Sequence, residues 1–259
     1  MTTRLAVTGA TGRMGRAVLS AARERDDVTI SFAVNRNPDD GAVAGVALEP
    51  ASEFAALLAR HEPHAVVDFT GPESSVEYVE ACADAGVAAV VGTTGFDDEQ
   101  TEALRAAGER TPVLVAANFS RGVQALLEAV ASAVDRLPGY DVELTETHHN
   151  AKRDAPSGTA NTVLDRIDEV RGEAAERVHG RNGEAPRNEG EIGVHARRAG
   201  AIHGEHEVLV AGNDEVLSVT HRAESRGVFA AGALDAAVWL AGRDAGWYEF
   251  ADVVGGETA

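Results

Sequence analysis

A glycine-punctuated turn near the N-terminus limits the folds open to this chain more than any other feature. Arg4-Leu5-Ala6-Val7-Thr8-Gly9 is a short apolar run ending in glycine, the pattern of a buried parallel strand. Gly9-Ala10-Thr11-Gly12-Arg13-Met14-Gly15 follows, and Arg16-Ala17-Val18-Leu19-Ser20-Ala21-Ala22 then reads as a helix. Strand, glycine turn and helix in this order make a dinucleotide-binding arrangement. Gly9 permits the tight turn, Gly12 admits a pyrophosphate to the helix N-terminus, and Gly15 lets helix and strand pack closely. The spacing is G-x-x-G-x-x-G, with Thr11 at the middle position of the commoner G-x-G; a plain strand-to-helix turn is the alternative.

The pattern repeats downstream. A second strand, Val28–Val34, ends at Asn35-Arg36-Asn37. An acid here would hold the ribose 2′-hydroxyl of NAD, whereas an arginine favours the 2′-phosphate of NADP. Asn35 and Arg36 therefore favour NADPH, with NADH still open, since Arg36 could equally be a surface residue stacked on adenine. Strands at Ala65–Thr70, Ala88–Val91 and Pro112–Phe119 alternate with helices at Glu73–Asp84 and from Asp98. Such alternation predicts a parallel α/β sheet of Rossmann type, with its ligands beyond the strand C-termini at Thr70, Gly92–Gly95 and Ala117–Ser120.

Composition narrows the function classes. At 259 residues and 44% hydrophobic, the chain can bury the cores of one or two domains, and no run approaches a membrane span. Forty-two acids against 23 Lys plus Arg give a formal charge of −19, a field that repels nucleic acid and anionic membranes. The acids are spread along the chain, Lys152 is the sole lysine, and an acidic, lysine-poor surface is expected of a protein from brine. A single cysteine, Cys82, excludes an internal disulfide and any multi-cysteine metal site. It falls inside a probable helix with no basic neighbour and reads as core rather than nucleophile. The chain enters its first strand at once, so a cytoplasmic location without a signal peptide is expected.

The densest chemistry is Glu146-Thr147-His148-His149-Asn150-Ala151-Lys152-Arg153-Asp154-Ala155-Pro156-Ser157-Gly158-Thr159-Ala160. It follows a strand, Tyr140–Thr145, and precedes a helix running from Asn161 to about Val170. Two histidines and a lysine at a strand end can supply a proton donor and cationic hydrogen bonds, and Ser157-Gly158-Thr159 opens a helix whose N–H groups form an anion site. Together they suit a small substrate with two carboxylates. Paired surface histidines are the bland alternative. A zinc site lacks a third ligand at local spacing, so no metal is expected. The use of lysine at this one position points to a compact ammonium with a tunable pKa.

These motifs, in their order, resemble those of the 4-hydroxy-tetrahydrodipicolinate reductases. The matching stretches are Gly9–Arg16, Asp68-Phe69-Thr70, Gly92–Phe96, Ala117–Ser120 and His148–Ala160, then Arg198-Ala199-Gly200, Gly204–Glu207, His221–Arg226, Phe229, Gly232-Ala233-Leu234 and Trp239-Leu240. The resemblance covers essentially the whole chain. It implies an NAD(P)H-dependent reductase of lysine biosynthesis through diaminopimelate. It further implies His148 as general acid/base, Lys152 as second proton donor, and His149, Lys152, Ser157, Gly158 and Thr159 as holders of the substrate carboxylates. Gly9, Ala10, Thr11, Gly12, Arg13, Met14, Arg36, Gly92, Thr93, Thr94, Ala116, Ala117, Asn118 and Phe119 would line the cofactor. Two positions depart from the family: Asn35 stands where an acid is frequent, and Gly71 where some members carry an arginine beside the cofactor.

The expected architecture is a discontinuous dinucleotide-binding domain over 1–119 and 221–259. The resemblance implies that a second α+β domain over 120–220 binds substrate and forms a homotetramer through an open mixed sheet, a picture that strands read at Glu191–Ala196, Glu205–Ala211 and Glu215–Ala223 fit. Arg177–Asn188 lacks periodicity and reads as part of a long loop. His206 and His221 read as strand residues rather than ligands, and Gly227–Leu240 as a small-residue helix returning to the first domain. Two other classes stay open: another Rossmann dehydrogenase of a small carboxylate, and a non-catalytic NAD(P)-sensing protein.

Overall fold

The computed structural model describes residues 2–37 and 41–255. The chain begins with β1 (Thr3–Thr8), α1 (Arg13–Ala22), β2 (Val28–Asn35), β3 (Ala42–Val43), β4 (Val46–Pro50) and α2 (Phe54–His61). It continues through β5 (Ala65–Asp68), α3 (Pro72–Ala85), β6 (Ala88–Val91), α4 (Asp98–Gly108) and β7 (Pro112–Val115). The apolar runs become strands because both faces of each are covered. In β1, Leu5 and Val7 enter one core while Ala6 enters another on the opposite face. Each such buried Val or Leu contributes about 1.5–3 kcal/mol. Helix starts follow local chemistry: α3 begins on Pro72, and α4 has a capping box in which Asp97 and Gln100 satisfy each other's backbone N–H.

The second stretch comprises α5 (Arg121–Arg136), β8 (Asp141–His148), α6 (Gly158–Arg171), β9 (Arg177–His179), β10 (Ile192–Arg198), β11 (Glu205–Gly212) and β12 (Glu215–Arg222). Its five strands form a mixed sheet in the order β12-β11-β8-β10-β9, parallel among β9, β10 and β8 and antiparallel elsewhere. Helices α5 and α6 cover one face with Leu126, Val130, Val163 and Ile167 against Val142, Leu144, Val208 and Val210. The loop expected over Arg177–Asn188 differs in its first part, where Arg177–His179 pairs with Ile192–Val194 as an edge strand. Three residues are too few to show alternation in sequence. The rest of the segment is irregular but pinned: Arg187 pairs with Asp141 at 2.8 Å and with Glu143, and Arg181 pairs with Glu191.

The chain then closes with α7 (Gly227–Leu240), β13 (Gly246–Tyr248) and α8 (Phe250–Gly255). These rejoin the first stretch, so one compact unit comprises Met1–Phe119 with Arg226–Ala259 and the other Ser120–Ser225. His221 and Arg222 remain in the second unit because β12 pairs with β11 as far as Arg222–Glu205; the return falls at Arg226 instead of 221. The first unit's sheet runs β13-β7-β6-β5-β1-β2-β4-β3, parallel except for the short β3–β4 pair. Cys82 is fully buried in its core, and burial raises its thiol pKa well above the usual range. No described helix is long and apolar enough to cross a membrane.

Candidate active site

In the first unit, the turn after β1 is shaped for close backbone approach. Gly9 adopts φ +65°, and a Cβ there would stand 2.6 Å from the Phe69 carbonyl oxygen. A Cβ on Gly15 would overlap the Gly9 carbonyl, so α1 can lie against the turn only with glycine at 15. Gly12 caps α1 without a side-chain hydrogen bond, which leaves the first-turn N–H groups unclaimed by any cap. Beside this terminus lies a cleft of about 730 Å³ lined by Gly9, Thr11, Gly12, Asn35, Arg36 and Thr70 among others. A second cleft of about 310 Å³ is lined in part by Arg13, Met14, Gly92, Thr93 and Thr94. Ala10 is buried beneath the turn, and Ala116–Phe119 line neither cleft. The Phe119 ring packs edge-on against Phe69 and Phe250, so any ligand contact from Phe119 comes through its backbone.

A buried carboxylate ties the loops of this edge together. Asp68, at the end of β5, accepts from the hydroxyls of Thr8 (2.5 Å), Thr70 (2.7 Å), Ser75 (2.5 Å) and Thr93 (2.9 Å). Thr93 also accepts the Thr70 backbone N–H at 3.0 Å. Four hydroxyls from β1, α3 and two loops thus converge on one anion. On β2, the Asn35 Oδ1 accepts from the Thr11 hydroxyl at 3.1 Å. Arg36 is exposed at the cleft and bonds the Ser74 hydroxyl at 3.3 Å.

The second unit gathers the histidine–lysine window at one end of its sheet. His148 ends β8, and Ser157 caps α6 by accepting from the Ala160 N–H. Lys152 sits in the intervening loop with its backbone N–H on the His149 carbonyl and its ammonium 2.9 Å from Asp154. The residue that organises them is Glu146, wholly buried and two positions before His148 on the same strand face. Its Oε2 is 2.6 Å from His148 Nδ1, while Arg198 donates to both carboxylate oxygens at 2.7 Å. The backbone N–H of Ser157 donates to Glu146 Oε1 at 3.1 Å. One carboxylate therefore orients both the histidine and the helix N-terminus.

Burial alone would raise the Glu146 pKa, but the bonds from Arg198 and His148 outweigh it and hold the group below the usual carboxylate range. Burial also lowers the His148 pKa; Glu146 opposes that shift, and the charges of Lys152 and Arg198 reinforce it. His206 on β11 lies edge-on to His148, with ring centroids 5.3 Å apart, and its Nε2 is 3.1 Å from the Ser157 hydroxyl. Burial, with His148 nearby, pushes its pKa down to about 4. It is thus neutral near pH 7, and its ring nitrogen can accept from the hydroxyl that caps α6.

Comparison with known proteins accords with this picture. Residues 3–119 match the family model described as dihydrodipicolinate reductase, N-terminus, and residues 122–254 match the model for its C-terminus. The chain belongs to the dihydrodipicolinate reductase family. Its sequence is 58% identical over 248 residues to the 4-hydroxy-tetrahydrodipicolinate reductase of Natronomonas pharaonis, covering 96% of this chain and 98% of the relative. It is 55% identical over 252 residues to the enzyme of the same name from Haloarcula marismortui, covering 97% and 99%. A dipicolinate-bound dihydrodipicolinate reductase from Paenisporosarcina sp. TG-14 shares the fold, with a TM-score of 0.79 and 23% identity over 96% of this chain and 98% of that one.

Within this dihydrodipicolinate reductase fold, the structure brings His148, Lys152 and Ser157–Thr159 to one sheet end, and the glycine turn to the cleft edge of the other unit. Sequence reading assigned no role to Glu146, Arg198, His206 or Asp68. Only Glu146 carried a local signal: an acid at i−2 from a histidine on a strand shares its face.

Proposed function

We propose that this chain reduces 4-hydroxy-tetrahydrodipicolinate to tetrahydrodipicolinate with NADPH, in the diaminopimelate route to lysine. The observation that carries the proposal is the Glu146-centred cluster, in which an acid–base histidine, the sole lysine and the N-terminus of α6 share one sheet end. A dicarboxylate is the ligand such a set recognises, and dipicolinate in the related solved structure is one. His149, Lys152 and the Ser157–Thr159 segment would hold the two carboxylates. Bound carboxylates beside His148 would raise its pKa and load it with a proton, and either that imidazolium or Lys152 would donate its own proton as water leaves the substrate ring.

The cleft beside α1 fits a dinucleotide, because Gly12 supplies an uncapped helix N-terminus and no side chain fills the turn. Gly9, Thr11, Gly12 and Arg13 would cradle the pyrophosphate, with Gly92–Thr94 further along the edge. When bound, NAD(P)H supplies the hydride; the protein's part is to bind, orient and protonate. Arg36 at the cleft, with Asn35 in place of an acid, supports a preference for the 2′-phosphate.

Two further properties follow from surfaces. In the second unit, the sheet face opposite α5 and α6 carries Leu209, Ala211 and the 66%-exposed Val216, which supports association between copies as a homotetramer. Light scattering would read the mass. The acidic, lysine-poor surface supports a protein adapted to high salt, for which the melting temperature should rise from low to molar salt.

The activity is tested by following nicotinamide absorbance in molar salt, with substrate formed in situ from pyruvate and aspartate semialdehyde by the preceding synthase. Oxidation that requires both precursors is the expected result. Cofactor binding by the folded protein with no oxidation would overturn it and favour a sensor or another substrate.

A further inference from the structure

We infer that Glu146 is a positioning residue that locks the His148 ring in its Nδ1–H form, so that the ring exchanges its proton through Nε2 alone. In turnover this assignment rests on the reading of His148 as proton donor; as a statement about the resting protein it stands without it.

The hydrogen-bond inventory around Glu146 decides where the proton sits. An ionised carboxylate can only accept. Three of the bonds it receives, two from Arg198 and one from the Ser157 N–H, come from groups that can only donate. With Arg198 bound to both oxygens, Glu146 is ionised, and the 2.6 Å approach of His148 Nδ1 is then a bond in which Nδ1 carries the hydrogen. The neutral ring consequently presents Nε2 as a bare nitrogen. Charging the ring adds the mobile proton there.

The other side of the ring is kept clear. Gly204 faces Nε2, and a Cβ built there would stand 3.1 Å from it, with the backbone at φ +152°. No side chain at 204 blocks the nitrogen that Glu146 leaves free. Among the described residues, the charged and titratable groups facing His148 come from four places: Glu146 on its own strand, Arg198 on β10, His206 on β11 and Lys152 in the following loop. Only Glu146 is negative. Without its charge, burial, Arg198 and Lys152 all favour the neutral ring.

The test begins with the protein free of cofactor and substrate. Nitrogen-15 NMR of the imidazole rings, with His148 assigned against His148→Gln, should show neutral His148 protonated at Nδ1 and bare at Nε2. The reverse tautomer, or an even mixture, would overturn the assignment. In Glu146→Gln, the side-chain oxygen is claimed by Arg198 and Ser157, so the amide NH₂ faces Nδ1. The ring proton is then expected on Nε2, and the His148 titration midpoint should fall by about one pH unit or more. The alkaline limb of the kcat profile should move down with it. A merely structural glutamate would lower the melting temperature and leave the titration and the limb in place. Should Glu146→Gln fail to fold, the wild-type tautomer decides. Gly204→Ala, which crowds Nε2 without touching Glu146, should lower kcat about tenfold or more with the Nδ1–H tautomer retained; an unchanged kcat would overturn exchange through Nε2. An Nδ1–H tautomer in a protein with no reductase activity would keep the Glu146 assignment and remove the proposed function.

Discussion

Arg198 grips Glu146 through both terminal guanidinium nitrogens, each 2.7 Å from a different carboxylate oxygen, and so joins the end of β10 to the wholly buried acid of β8. The same guanidinium also bonds the Asp154 carbonyl at 2.6 Å, fixing the loop that carries Lys152. Removing one member of a buried ion pair strands the other.

Arg198→Ala is therefore expected to destabilise the protein by about 3–5 kcal/mol, read as a lower urea midpoint. Arg198→Lys should recover only part of this, since an ammonium cannot span both oxygens. In Arg198→Met with Glu146→Gln, the loss should be smaller than the sum of the single losses. Simple additivity would mean the two residues act independently.

His206 gives the stability a pH dependence of known sign. Its pKa is pushed down to about 4 in the folded chain against about 6.5 unfolded, so the unfolded state takes up the proton first. The stabilisation from a neutral His206 is complete above about pH 6.5 and is lost as pH falls toward 4, by roughly 3 kcal/mol at most. His148 and His221 shift in the same direction, so the wild type alone does not isolate His206. His206→Gln keeps an acceptor for the Ser157 hydroxyl but cannot titrate. Its loss of stability between pH 7 and pH 5, measured by denaturant unfolding, should be smaller than that of the wild type.

How much of this was legible in the sequence depended on how local each determinant is. Gly9, Gly12 and Gly15 announce their turn because strand, turn and helix are contiguous, and the helix at Gly227–Leu240 appears at its expected bounds. Short or edge elements such as α2, β3, β4, β9 and β13 carry too few residues for a period to emerge. The Glu146 hub was hidden for a different reason. Arg198 lies 52 residues away and His206 meets Ser157 across 49, so nothing in either neighbourhood marks them. Asp68 falls within the strand read over Ala65–Thr70, and only the fold brings the hydroxyls of Thr8, Ser75 and Thr93 onto it.

Arg36 should discriminate between the cofactors. Arg36→Ala is expected to raise KM for NADPH by about tenfold, the worth of one charge-assisted contact, with KM for NADH nearly unchanged. Asn35→Asp, which places an acid at the end of β2, should shift preference toward NADH. Steady-state kinetics with both nucleotides would show it, and equal effects on the two would place Arg36 outside the 2′-phosphate contact.

The most direct measurement is the turnover of Lys152→Ala alongside its NADPH affinity. Lys152 lies in the second unit's cluster and is not among the cofactor groups, so turnover should fall at least about a hundredfold while NADPH binds as in the wild type. Unchanged turnover in a variant that still folds and binds NADPH would contradict the placement of the chemistry at the Glu146-centred cluster.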